Sequence, residues 1–278
     1  MLKALIKKQF HECFRTYFVN VKTGKARSKG GIIGMFVLFA ALMLFLCGAF
    51  FGMAFIMGDL LTAGLSWLYF ALMAMISILL GTFGSVFNTF STLYMAKDND
   101  LLLSMPIPPS KILATRISLV YGLSLLYSGT VWLPAIVFSW IFGTPTVLSV
   151  VFGILLLPII ALFVTVLTCV LGWVVALVAV RVKKKSFVTV ILSLVFFGLY
   201  YFVCFRMSDF VQALVMNSEL VGDRVRAWGN LLYQLGQAAD GNVLAMVIFT
   251  AIILVTALLR MLHVNYSRYI ALGIGSIL

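Results

Sequence analysis

Apolar residues run through this chain in long blocks separated by short polar intervals, and the blocks predict its architecture. Six are long enough to cross a bilayer, whose hydrocarbon core needs about 20 helical residues. They cover residues 31–57, 67–95, 117–142, 147–180, 187–205 and 243–262. Because the blocks are continuous rather than alternating, membrane helices are expected and an outer-membrane barrel is not. The second block is longer than the hydrocarbon requires, so it is expected to tilt or to protrude. Pro134 lies inside the third block and Pro158 inside the fourth, where a kink is expected. The fold class that follows is an all-α polytopic membrane protein with six transmembrane helices.

Polar and small residues then mark the features between and along these blocks. Ser77, Gly81, Ser85 and Thr89 recur at every fourth position of the second block, a stripe that lets another helix approach closely. Gly84 and Asn88 flank the stripe, and Asn88 can hydrogen-bond a neighbouring helix or touch a substrate. Residues 1–30 form a basic amphipathic segment. Leu2, Leu5, Ile6, Phe10, Phe14 and Phe18 recur at helical spacing between Lys3, Lys7, Lys8 and Arg15, the pattern of a helix lying in the headgroup region. Between the fifth and sixth blocks, Phe210, Val211, Leu214 and Val215 share one helical face and Leu231, Leu232 and Leu235 share another. Two short helices capping the spans are expected there, with Glu219, Asp223 and Arg224 in water. Residues 266–278 turn apolar again, either as a short interfacial tail or as the start of a further segment.

The interval from Met95 to Arg116, MAKDNDLLLSMPIPPSKILATR, is the most unusual. A plain turn between helices needs only a few polar residues. This one joins Asp98 and Asp100 to Leu101, Leu102 and Leu103, then to Pro106, Pro108 and Pro109, and exits through Lys111 and Arg116. Asp98 or Asp100 can cap a short helix, since a carboxylate accepts the free N–H groups of a first turn. Pro106 would end that helix, and Ser110 can cap the next one, which would run through Lys111 and Arg116 into the membrane. A short, stiffly mounted helix with exposed leucines would suit a partner's groove. An interfacial turn whose leucines dip into the headgroups is the alternative. Lys111 and Arg116 can equally mark the membrane boundary.

Composition agrees with the block pattern. Hydrophobic residues make up 63% of the chain and charged residues only 10%, against about 25% charged in soluble domains; the mean hydropathy is +1.16. The net charge of +12 could suggest nucleic acid, but the basic residues sit at the ends of apolar blocks. Of the 20 lysines and arginines, all but Arg206, Arg224 and Arg226 fall in the N-terminal arm, the 96–116 loop, the 181–185 loop and the C-terminal end. The positive-inside rule then places these segments and both termini in the cytoplasm. Cys13, Cys47, Cys169 and Cys204 show no paired spacing and read as packing residues. No cleavable signal peptide is expected, because the first apolar block is too long and lacks a small-residue cleavage site.

Chemistry-bearing motifs are few. There is no GxxxxGK[ST] for ATP phosphates, and His11-Glu12 is followed by Arg15 rather than the second histidine of HExxH. There is no GxSxG, both histidines lie near block edges, and no charged residue lies well inside a block. A resident metal, cofactor or catalytic group is therefore not expected, nor is the buried ionisable relay of a proton-coupled machine.

The run AKDNDLLLSMPIPPSKILATR resembles the cytoplasmic loop of bacterial ABC-type exporter permeases, in which a similar K-D-x-D-L-L-L-S-x-P-I run follows the second span. The order of elements is similar too: an amphipathic N-terminal helix, six spans, and short external helices between the fifth and sixth, as in the G-subfamily-like exporter class. The resemblance implies a membrane subunit of a bacterial plasma-membrane exporter, with ATP and Mg bound by a separate cytoplasmic ATPase. Asp98, Asp100, Leu101, Leu102, Leu103, Pro106, Pro108, Pro109 and Lys111 would form the ATPase-docking coupling helix and its mount. It also implies a homodimer or a second six-span half, and an exported hydrophobic or amphipathic substrate such as a peptide, lipid or drug. A non-transporting scaffold holding a peripheral protein, or a secondary transporter, remains the alternative.

Overall fold

The computed structural model describes residues 2–14, 18–19, 25–94, 108–181 and 229–275, together with the single positions 194, 198, 202 and 206. These residues form α1 (Leu2–Cys13), α2 (Lys29–Ile56), the single turn α3 (Asp59–Thr62) and α4 (Ser66–Thr89), which passes into a π-helical turn (Phe90–Tyr94). There follow α5 (Pro109–Phe142), α6 (Val147–Arg181), α7 (Asn230–Ala239) and α8 (Val243–Gly275). One isolated bridge, between Val19 and Ala26, is the extended pairing among the described residues.

Lys29–Ile56, Ser66–Leu93, Lys111–Phe142 and Val147–Ala176 are each long and apolar enough to cross a membrane, and Val243–Leu259 is a shorter apolar stretch at the start of α8. The first four expected spans thus have counterparts, and α8 holds the block expected as the sixth. The expected fifth span lies outside the described residues except for positions 194, 198 and 202.

From α2 to α6 each long helix returns antiparallel to the one before, and α8, like α6, starts at the turn end. Three hydrogen bonds fix the register of α4 on α5: Tyr69 Oη donates to Ala135 O (2.9 Å), Ser77 Oγ to Ser128 O (2.9 Å) and Ser124 Oγ to Ser85 Oγ (3.4 Å). Trp132, wholly buried, donates its indole N–H across to Gly153 O of α6 (2.9 Å). The apolar bodies of these side chains fill the core while their polar tips are satisfied. Alternation gives the bundle two ends: a loop end, with Lys29, Pro109 and Arg181, and a turn end, with Ile56, Ser66, Phe142 and Val147.

Outward faces are apolar. Val37, Leu38, Leu44 and Phe45 of α2 and Val247, Leu254, Val255, Leu258 and Leu259 of α8 are exposed. Soluble proteins do not carry apolar surface on this scale, so the bundle is embedded in a membrane. Inside, threonine hydroxyls return their protons to carbonyls of the preceding turn, from Thr89 to Ser85, Thr165 to Ala161 and Thr168 to Thr165. That local bond makes a hydroxyl tolerable in an apolar interior.

Two boundaries differ from the expected ones. α5 runs through Lys111 and Arg116 as expected, but it starts at Pro109 with Pro108 at its N-cap position, so Ser110 is not the cap. Proline suits a first helical position because its fixed φ is already helical and its missing N–H would have had no partner there. Helix α6 runs through Pro158 as one element, and its ends fall within one residue of the expected fourth block. The backbone of α8 stays helical through most of the expected tail, as far as Gly275.

At the turn end, α7 lies against α4, α6 and α8. Leu235, Ala238 and Ala239 are buried, Leu231 packs on the same core, and Tyr233 meets Trp67 edge to face at 5.0 Å. This is the second of the two short helices expected after the fifth span; the first, with Phe210 and Leu214, lies outside the described residues. Gly241, at φ +107°, turns the chain out of α7, in a conformation that favours glycine. Asn242 then caps α8 by accepting from the N–H groups of Leu244 and Ala245 (3.1 and 3.3 Å).

Candidate functional site

Loop-end geometry concerns the mounting of the segment expected to dock a partner. Asp98, Asp100, Leu101, Leu102, Leu103 and Pro106 lie outside the described residues, while Pro108, Pro109 and Lys111 lie within them. Pro108 is extended and exposed, Pro109 opens α5, and Lys111 is exposed with its N–H donating to Pro108 O (2.9 Å). Arg116 behaves differently from a boundary marker: two turns into α5, its side chain is wholly buried.

Both margins of the loop are packed. On the incoming side, Leu93 of the π-helical turn packs with Leu113 and Val120 of α5 and Cys169 of α6, and Phe90 packs with Val175. A π turn carries one residue more than an α turn would, and such turns are frequent at functional positions. On the outgoing side, Leu5 of α1 packs against Ile112. The apolar face of α1 is divided, for Leu5 turns to the bundle whereas Ile6 and Phe10 remain exposed. Phe14 and Phe18 lie 6.2 and 6.0 Å from Phe36 of α2.

The small-residue stripe faces inward. Ser77, Gly81, Ser85 and Thr89 are all buried, and Asn88 beside them is half-buried. A Cβ at Gly81 would come within 3.0 Å of Val164, and one at Gly84 within 2.8 Å of Tyr127. The helix that these small residues admit therefore belongs to this same chain: α5 on one side, α6 on the other. Close approach of backbones at glycine is a common way to gain van der Waals contact where the hydrophobic effect is absent.

At the turn end there is a half-open cavity of ≈ 170 Å³ lined by residues from six segments. Leu61, Ser66 and Phe70 come from α3 and α4, Ser139 and Gly143 from the end of α5, Thr144 and Pro145 from the turn, Ser149 from α6, and Asp240 from the end of α7. Ser139 Oγ donates to Ile136 O (2.8 Å) and Ser149 Oγ to Ala239 O (2.7 Å). Sequence reasoning did not single out this cavity. Its residues are common turn residues, and only their convergence from 180 positions of chain makes a site. Comparison with protein-family models, curated proteins and solved structures found no match.

Proposed function

We propose that this chain is the membrane-spanning permease subunit of an ATP-binding-cassette exporter in a bacterial plasma membrane. A cytoplasmic ATPase, holding ATP and Mg, would dock on Asp98, Asp100, Leu101, Leu102 and Leu103, with Pro106, Pro108, Pro109 and Lys111 forming the stiff exit. The observation that supports this reading is the way the loop is mounted. Its incoming end leaves a packed π turn and its outgoing end enters a proline-opened helix braced by α1. A force applied between those two points passes into α4 and α5, whose seam of small residues leaves little slack. The exported molecule would be hydrophobic or amphipathic, and a second copy or a second six-span half would complete the pathway.

Purification tests this directly. A tagged chain taken from native membranes in mild detergent should bring down a nucleotide-binding subunit in near-equal amount, with ATPase activity. Recovery of the chain without any such ATPase would overturn the exporter reading.

Orientation is tested separately. With both termini and the loop end in the cytoplasm, a cysteine at position 100 or 183 should resist a membrane-impermeant thiol reagent in sealed cells. One at position 144, in the exposed turn after α5, should react. Labelling of position 100 from outside would reverse the orientation and remove the docking hypothesis with it.

A further inference from the structure

We infer that the turn-end cavity is a binding site for a small primary ammonium group carried on a short alkyl chain. The inference rests on the cavity alone and is independent of the exporter reading. Its chemistry follows from what the lining has left to offer. Ser139 and Ser149 are buried, and each hydroxyl has spent its one proton on a backbone carbonyl, Ile136 O and Ala239 O. What those hydroxyls present to the cavity is therefore lone pairs. Asp240, exposed at the mouth of the cleft, is the one charged residue in the lining, and no cationic side chain lines it beside Asp240.

Helix dipoles do not change that sign. The cavity meets the ends of α5 and α7, at Gly143 and Asp240, and the beginnings of α4 and α6, at Ser66 and Ser149. Two negative ends and two positive ends largely offset one another. The carboxylate then decides, and the site favours a cation.

The kind of cation follows from the donor set. A divalent metal ion takes six or more oxygens, several of them from carboxylates. Among the described residues no group of three His, Cys, Asp or Glu side chains comes together. One carboxylate with neutral hydroxyl acceptors matches instead the three N–H donors of an alkylammonium. Phe70 and Leu61 supply an apolar wall for its methylenes. At ≈ 170 Å³ the cleft has room for a group of ethanolamine size. Its place at the helix ends puts it at headgroup level, so the ammonium can come from a lipid headgroup or from a free amine.

The probes are ethanolamine and choline, added to the full chain in nanodiscs of pure phosphatidylglycerol and followed by ligand-observed NMR. Ethanolamine should bind saturably, and choline, whose methyl groups remove all three donors, at least tenfold more weakly. The variant Asp240→Asn should weaken ethanolamine at least tenfold. Asp59→Asn, which removes an exposed charge at the same end but outside the lining, should change it less than twofold. In nanodiscs containing phosphatidylethanolamine, loss of ethanolamine binding would assign the site to the lipid headgroup, and retention would assign it to the free amine. Equal binding of choline, equal effects of the two aspartate variants, or no saturable binding to the wild-type chain would each overturn the inference.

Discussion

Gly236→Ala should lower the stability of the bundle by about 2 kcal/mol, although alanine is the better helix former. A Cβ at residue 236 would lie 2.1 Å from the carbonyl oxygen of Trp67, 3.0 Å from its carbonyl carbon and 3.2 Å from Ala71. The first two atoms belong to backbone, so no rotamer change relieves the overlap. Either α7 lifts from α4 by more than an ångström, or α4 gives way at its first turn. Overpacking of this kind costs about 1–3 kcal/mol and sometimes more, and a contact with rigid backbone belongs at the upper end. Against it stands the helix propensity gained from glycine to alanine, about 1 kcal/mol. The difference remains destabilising.

The consequences reach beyond α7. Its lifting would uncover Leu235 and part the Trp67–Tyr233 ring contact. It would also pull on the Ser149 bond to Ala239 O. Apparent unfolding midpoints in one detergent, read through tryptophan fluorescence, give the comparison. Gly48→Ala is the control, because no atom lies within 4 Å of its new Cβ; it should be neutral or slightly stabilising. If Gly236→Ala melts at or above the wild-type midpoint, α7 is not seated on α4 as described.

Hydropathy made the membrane helices legible because hydrocarbon is a demanding solvent. A polar residue facing lipid is costly, so the edges of apolar blocks record the edges of the bilayer. The blocks at 31–57 and 147–180 accordingly fall within a few residues of Lys29–Ile56 and Val147–Arg181. Hydropathy alone does not give the start of α5. Lys111 and Arg116 end the apolar block, yet the helix continues back to Pro109, close to the Ser110 start that capping suggested, since helical hydrogen bonding does not depend on hydrophobicity. Arg116 shows the gap between the two criteria: its charge reads as surface, but its side chain is buried inside protein.

What a site requires was legible only where it is local in sequence. The 95–116 run announces itself because aspartates, leucines and prolines crowd into one interval. In the stripe Ser77, Gly81, Ser85 and Thr89, spacing alone gave the shared face, though not the identity of the helix that covers it. Gly236 and the turn-end cavity gave no such signal. A glycine in a short amphipathic helix has no pattern that distinguishes a 2.1 Å approach from open space. Likewise Ser66, Ser149 and Asp240 acquire a common chemistry only once the register of four helices is set. The π turn at Phe90–Tyr94 was equally silent, since nothing in the run Phe-Ser-Thr-Leu-Tyr sets it apart from an α turn.

On the exporter reading proposed above, replacing both Leu102 and Leu103 with aspartate should weaken binding of the partner ATPase by a hundredfold or more while leaving the membrane helices inserted. The two leucines lie in the interval outside every apolar block, so insertion does not depend on them. If they fill a groove in the partner, each contributes about 1.5–3 kcal/mol of transfer free energy, before any penalty for burying a carboxylate. At about 1.4 kcal/mol per tenfold, the pair accounts for at least two orders of magnitude in affinity. Pro108→Gly with Pro109→Gly gives the complementary result. Pro108 is exposed at the N-cap position and Pro109 opens α5, so those changes remove stiffness and a preformed helix start rather than contact area. Binding should fall only a few-fold, whereas stimulation of the ATPase by the membrane subunit should fall more. Pull-down with the ATPase that co-purifies with the wild-type chain measures the first quantity, and nucleotide turnover in the reconstituted complex measures the second. Wild-type binding and turnover in the double aspartate variant would make the loop a plain interfacial turn. Loss of binding with normal insertion, set against loss of coupling with near-normal binding, would separate the leucines as the contact from the prolines as the lever.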